Sequence, residues 1–356
     1  MSKEILSKIQ GCLLGIMIGD AMGAPCEVMP YEEIQKSTNG GIKGFQSLGV
    51  FQRRLDTHLS FKVGDTTDDW AFSKALVESL IANGEYNHMD CACRFVEIYR
   101  SGVVGAGCTT RDSLKLVGKF LNSLSDEELE KYRKMNSQDL YRQFQSLINR
   151  PHCGVGAGVA MRIVPLAIFN QNWSVSSLYN LIRLNGSITH LNKVASDTAC
   201  LVGCIIHDIF CGNINEPNFD CGYLLSLVDH VGAIIEGLHN REQPSLYKEL
   251  SFVEKNIEDL ASLRVRFCTG RKAFTDINAV AFSVAVFIRN MDNFRQGILE
   301  AVNAGGDTDT TSSMVGAMLG AYNGLEGIPQ EWREFRLEFE EAEKLGEELY
   351  DVIFSK

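Results

Sequence analysis

Apolar residues recur along this chain at helical spacing. Ile5, Ile9, Cys12, Leu13 and Ile16 fall on one face of a first helix. Trp70, Phe72, Ala75, Leu76 and Leu80 mark another. That second segment is opened by Thr and Asp and closed by Asn83-Gly84, the expected start and stop chemistry. The same period predicts helices over 108–121, 156–169, 174–184, 190–210, 223–238, 275–290, 293–303, 308–322 and 336–354. No clear two-residue alternation and no hairpin turn between strand-like runs is found, so the pattern predicts an all-α fold. Residues 38–64 contain Asn39-Gly40-Gly41 and read as a long loop. The polar segments 122–140 and 240–256 read as surface helices or connections, because neither is a Pro/Ser-rich spacer. With no internal repeat or low-complexity tract, one domain over 1–356 is the economical reading.

Composition adds exclusions. The chain has 356 residues, 45% hydrophobic and 22% charged, enough to bury a large core without disulfide or metal staples. A net charge of −11 and the lack of a basic stripe argue against a duplex-binding surface. Eleven Cys are scattered without a framework, and MSKEILSKIQ lacks the basic stretch and apolar run of a signal peptide. No apolar segment is expected to reach the ~18–20 residues that span a bilayer. The thiols therefore read as reduced and the protein as cytoplasmic, although delivery by a route without a cleaved signal would leave no mark in the sequence. The expected state is a monomer, since no coiled coil or exposed apolar helix stands out.

Two acidic clusters carry the chemistry. GDTTDDW at 64–70 and GGDTDTTSS at 305–313 each place hydroxyls and two carboxylates at a helix start. Either alone is explained by capping and by the helix macrodipole. Together they carry more acid than capping requires, and Gly305-Gly306 lets the backbone approach something closely. If the fold joins them, Thr67, Asp68, Asp69, Asp307, Asp309 and Thr310 offer six hard oxygens. Such oxygens suit two Mg²⁺ or Mn²⁺ ions roughly 3.5–4 Å apart, able to generate hydroxide near neutral pH. Gly105-Ala106-Gly107 and the run Gly154, Val155, Gly156, Ala157, Gly158 lead into apparent helix starts, where bare N–H groups suit a diphosphate.

At these residues the sequence resembles the ADP-ribosylglycohydrolase family. The resemblance runs in order through GCLLGIMIGDAMGAPCE (11–27), TTDDWAF (66–72), GAGCTTRDSL (105–114), GVGAGVAMRIVPLA (154–167), ITH (188–190) and AVNAGGDTDTTSSMVGAMLGAYNGLEGIP (301–329). It implies a compact, single-domain, orthogonal helical bundle with a binuclear Mg²⁺ or Mn²⁺ centre beneath the distal ribose of an ADP-ribosyl group. The bond broken would join that ribose to an acceptor such as a protein Arg or Ser side chain, releasing ADP-ribose. Carried over by position, the six oxygens above would be metal ligands, and His190 would lie near the phosphates. Glu27 matches a glutamate that lies over the metals in part of the family and acts in gating or catalysis. Glu27, Asp69 and Asp307 are the candidates for taking the proton of the attacking water, since carboxylates also stabilise an oxocarbenium-like transition state.

Three positions depart from the family pattern: Trp70, where Thr is usual, Ala157, often Asn, and Val155, an aromatic in some members. Two other readings stay open, another ADP-ribose linkage (an O-acetyl ester or a modified nucleobase) and an inactive crystallin-like binding protein. Cys200, Cys204 and His207 have helical spacing but no evident fourth ligand, and they read as a buried helix face. Asp20 reads as shaping the turn between the first helix and Glu27.

Overall fold

The computed structural model describes residues 2–46, 61–149, 156–170, 174–214, 222–223, 226 and 246–355. Among them are seventeen α-helices and no β-strand, in agreement with the all-α expectation. They begin with α1 (Ser2–Gly23), α2 (Tyr31–Ser37), α3 (Asp68–Asn83), α4 (His88–Arg100), α5 (Cys108–Ser123) and α6 (Asp126–Arg133). Next come α7 (Ser137–Ile148), α8 (Val164–Phe169), α9 (Val175–Gly186), α10 (Lys193–Phe210), α11 (Leu246–Asn256) and α12 (Leu260–Phe267). The chain closes with α13 (Asp276–Arg289), α14 (Phe294–Val302), α15 (Thr308–Asn323), α16 (Gln330–Arg333) and α17 (Glu340–Phe354).

Most expected helices form within a residue or two of their predicted ends. The helix predicted over 156–169 does not: residues 157–162 are turns, and α8 begins at Val164. Pro165 has no N–H to bond the carbonyl four residues back, so it opens a helix instead of lying inside one. The helix predicted from 190 starts at Lys193, because Asn192 caps it by accepting the Val194 N–H at 2.9 Å. α4, although not among the predicted helices, buries Met89, Ala92, Phe95 and Val96 at helical spacing. Most of the segment predicted as helix over 223–238, and residues 47–60 of the predicted loop, lie outside the described residues.

α1 and α15 form the axis of the core. A line of small residues on α1, Gly11, Gly15, Gly19 and Gly23, meets Gly320, Gly316, Ser312 and Thr308 on α15. A Cβ on Gly15 would lie 2.0 Å from the Gly316 carbonyl oxygen, so the two backbones touch without intervening side chains. Thr308 Oγ1 donates to the Gly23 carbonyl at 2.8 Å and fixes the end of the line. That contact lays the start of α15, with Asp307 and Asp309, against the end of α1 and the loop bearing Glu27.

The stretch Lys3–Cys26 corrects one expectation. By length and composition it is apolar enough to cross a bilayer, with a mean hydropathy of 1.4. Yet 78% of its most apolar window is buried inside the protein, where α1 packs on α15 and α17, as expected of a core helix.

Candidate active site

The turn before α3 is built on Asp20. This aspartate is fully buried, and it accepts the Thr67 N–H at 2.9 Å, the Thr67 hydroxyl at 2.8 Å and the Trp70 N–H at 2.9 Å. Asp20 thus fixes the opening of α3 across the core, instead of shaping its own turn as expected from the sequence. Thr67 takes the N-cap position, and Asp68 and Asp69 follow it, both buried. Trp70 is buried beside them.

Asp307 stands at the N-cap position of α15, but its side chain makes no capping hydrogen bond. Capping therefore does not account for its carboxylate. Carboxylate oxygens of Glu27, Asp307 and Asp309 lie within 4.8 Å of one another, and Thr310 Oγ1 lies 3.4 Å from Asp69 Oδ2. The two acidic clusters and Glu27 thus meet in one cleft. Reciprocal backbone bonds clasp the Glu27 loop to the α15 start: Val28 N–H to Gly306 O at 2.7 Å and Gly306 N–H to Met29 O at 3.0 Å. Val28 holds φ +65° within this clasp, a strained backbone for a β-branched residue.

Packing so many carboxylates together has an electrostatic cost. Burial, then repulsion from Asp309, raises Asp69 and Asp307 well above the usual carboxylate range, and the same two causes raise Asp68. They also push Asp20 up to about 7. Asp69 Oδ1 is buried without a hydrogen-bond partner. Unpartnered buried acceptors are costly, and a divalent cation would satisfy this one and offset the mutual repulsion. The donors are all carboxylate and hydroxyl oxygens, which fit Mg²⁺ or Mn²⁺.

Of the glycines, Gly105 (φ +96°) packs so closely that a Cβ there would lie 2.4 Å from Asp68 Oδ1. Gly107 precedes α5 in open space, with no side-chain cap on the helix start. Gly156 and Gly158 adjoin His190, and a Cβ on Gly158 would lie 2.7 Å from the His190 ring. Ala157 is buried in the same turn, while Gly154 and Val155 lie outside the described residues.

Arg162 is a residue the sequence reading missed. Its guanidinium is fully buried and donates to Asn185 Oδ1 at 3.0 Å and Thr189 Oγ1 at 2.8 Å. Thr189 Oγ1 in turn sits 2.8 Å from His190 Nδ1. The Thr189 hydroxyl thus links the His190 ring to the Arg162 guanidinium, and Nε2 lies on the Gly156 side. Burial and the Arg162 charge lower His190 to about 3, so its imidazole is neutral at physiological pH. The signal for Arg162 was an arginine inside an otherwise apolar run, VAMRIV.

Cys200 and Cys204 are buried on α10, with their sulfurs 3.9 Å apart. They line a core face, as read from the sequence.

An all-helical protein with carboxylates and hydroxyls gathered where two helices begin belongs to the class built around an oxygen-lined cation cleft. More particularly, the chain is an enzyme of the ADP-ribosylglycohydrolase family, whose profile matches residues 1–356. It is 24% identical to ADP-ribosylhydrolase ARH3 of Mus musculus, over 98% of this chain and 92% of that protein. ADP-ribosylarginine hydrolase Tri1 of Pseudomonas putida (strain GB-1) is 23% identical over 98% of this chain and 79% of its own. A solved structure of an ADP-ribosylglycohydrolase-related protein complex shares the fold, with a TM-score of 0.68 and 23% identity over 99% of this chain and 100% of that one.

Proposed function

We propose that this protein hydrolyses the glycosidic bond between ADP-ribose and a protein side chain, releasing ADP-ribose and the unmodified acceptor. The observation that carries this reading is the meeting of Glu27, Asp307 and Asp309 with Asp69 and Thr310 in one cleft, in a chain of this family. The whole chain acts as one domain, and Thr67, Asp68, Asp69, Asp307, Asp309 and Thr310 hold two Mg²⁺ or Mn²⁺ ions. When bound, such ions orient a ribose diol and make a water more acidic.

The chain's own residues divide the remaining work. Asp20 holds the α3 opening through three donors and thereby aims Thr67 and Asp68 into the cleft. Glu27 is half-buried at the rim, where a carboxylate stabilises positive charge growing at the anomeric carbon and accepts a proton from the attacking water. Asp69 and Asp307 hold the floor and serve as alternative proton acceptors. Gly105 lets the backbone approach Asp68 closely, Gly107 leaves open space at the α5 start, and His190, Gly156 and Gly158 provide a second contact for the diphosphate.

Calorimetry with ADP-ribose, paired with release from peptides ADP-ribosylated on Arg or on Ser, tests this reading. Release from at least one peptide, together with Mg²⁺-dependent binding, is expected. Binding with no release from either would make the protein a binding module and overturn the proposal.

A further inference from the structure

A cavity of about 450 Å³ lies between the residues that follow Glu27 and the end of α12 with the segment after it. Its floor is the backbone clasp of Val28, Met29 and Gly306, so it begins one residue from Glu27 and one from Asp307. Gly306 (φ +78°) has no room for a Cβ, which would lie 2.9 Å from the Cys268 carbonyl oxygen. The clasp and the far wall are therefore in direct contact. The glycines and His190 assigned above to the diphosphate lie elsewhere, with Gly105 against Asp68.

The mouth of the cavity is basic, although the protein is acidic overall. Arg264 and Arg271 line it, against one exposed acid, Glu32. Neither arginine forms an ion pair among the described residues. The Arg264 guanidinium carbon lies 3.5 Å from the centre of the Tyr31 ring, a separation that requires face-to-face stacking. Stacking occupies the face of the guanidinium and fixes its plane, leaving the N–H edge for bidentate bonds to a carboxylate.

Resting on the proposed hydrolysis, we propose that this cavity is the acceptor subsite and that it selects ADP-ribosylated protein segments with acidic side chains beside the modified residue. A nucleic-acid acceptor is disfavoured, because two arginines set in a chain of net charge −11 suit one or two carboxylates and not a polyanion.

The test uses fluorescent peptides carrying ADP-ribose through a methylene in place of the linking oxygen, so that binding is read without turnover. Flanks of Glu, Gly or Lys are compared by anisotropy in Mg²⁺ buffer, beside an oligonucleotide carrying the same group. The Glu-flanked peptide is expected to bind about five- to tenfold more tightly than the Gly-flanked one at low salt, with the difference shrinking at high salt. The double variant Arg264→Glu/Arg271→Glu should invert the order and favour Lys flanks, an inversion that an unfolded protein could not produce. Equal binding of the three peptides, an order unchanged in the variant, or tightest binding of the oligonucleotide would each overturn the proposal. So would a lack of peptide binding where free ADP-ribose binds. Failure of release from cleavable peptides bears on the hydrolysis alone, since the flank preference is read without it.

Discussion

Asp69 joins both halves of the cleft, with one oxygen beside Thr310 Oγ1 and the other buried without a partner. Asp69→Asn and Asp307→Asn keep the side-chain shape while removing charge. Each should lower the release rate by at least about 10²-fold, with the helical circular dichroism unchanged. Wild-type rates in either variant would remove these residues from the chemistry. Asp20 acts through structure instead. Asp20→Ala leaves the Thr67 and Trp70 N–H groups buried without acceptors, so it should cost about 2–4 kcal/mol in urea denaturation. The candidate ligands were legible because both clusters repeat hydroxyl and carboxylate within a few residues. The role of Asp20 was not, because its partners lie 47 and 50 residues away and only the packing of α1 brings them near. Arg162 was hidden for the same reason, since Asn185 and Thr189 come from another helix and its end.

At the scale of elements, the site depends on how closely α1 and α15 approach. The four-residue recurrence of Gly11, Gly15, Gly19 and Gly23 is visible in the sequence, but apolar periodicity treats glycine as neutral and does not reveal a contact line. Gly15→Ala and Gly316→Ala place a methyl group where a carbonyl oxygen already sits. Each should destabilise the protein by about 3 kcal/mol and lower the melting temperature by several degrees. Gly44→Ala faces open space without a positive φ and should stay within about 0.5 kcal/mol of the wild type. Similar melting temperatures for all three would show that the helix contact is not what organises the core. The start of α3 was readable from its cap at Thr67, whereas the cap at Asn192 was passed over and the helix was expected from 190. A helix start was also misread at 156–163, where the arginine and histidine contacts support a non-helical turn ahead of Pro165.

For the whole molecule, the gathered carboxylates link stability to protons and cations. Asp20, Asp68, Asp69 and Asp307 are all raised in the folded state. Their contribution to stability is therefore fully present below the unfolded carboxylate value of about 4, and it is lost as pH rises through the folded values, about 7 for Asp20. In chelator, the melting temperature should fall between about pH 5 and pH 8. Mg²⁺ should raise it more at pH 8 than at pH 5, because cations there take the place of protons. An equal Mg²⁺ effect at both values would contradict this linkage. The all-α fold and the convergence of distant clusters were legible at this scale, since helical period and clustered acid are properties of the chain. The acceptor cavity was not, because Arg264, Arg271 and the Glu27 clasp come from segments with no shared motif. The most direct test of the central claim is the release of ADP-ribose from a modified peptide after exhaustive chelation and stepwise return of Mg²⁺, in wild type and in Asp307→Asn. Release that vanishes with chelation, returns with Mg²⁺ in the wild type and stays absent in Asp307→Asn is the predicted result. Full release in chelator, or equal release by Asp307→Asn, would contradict it.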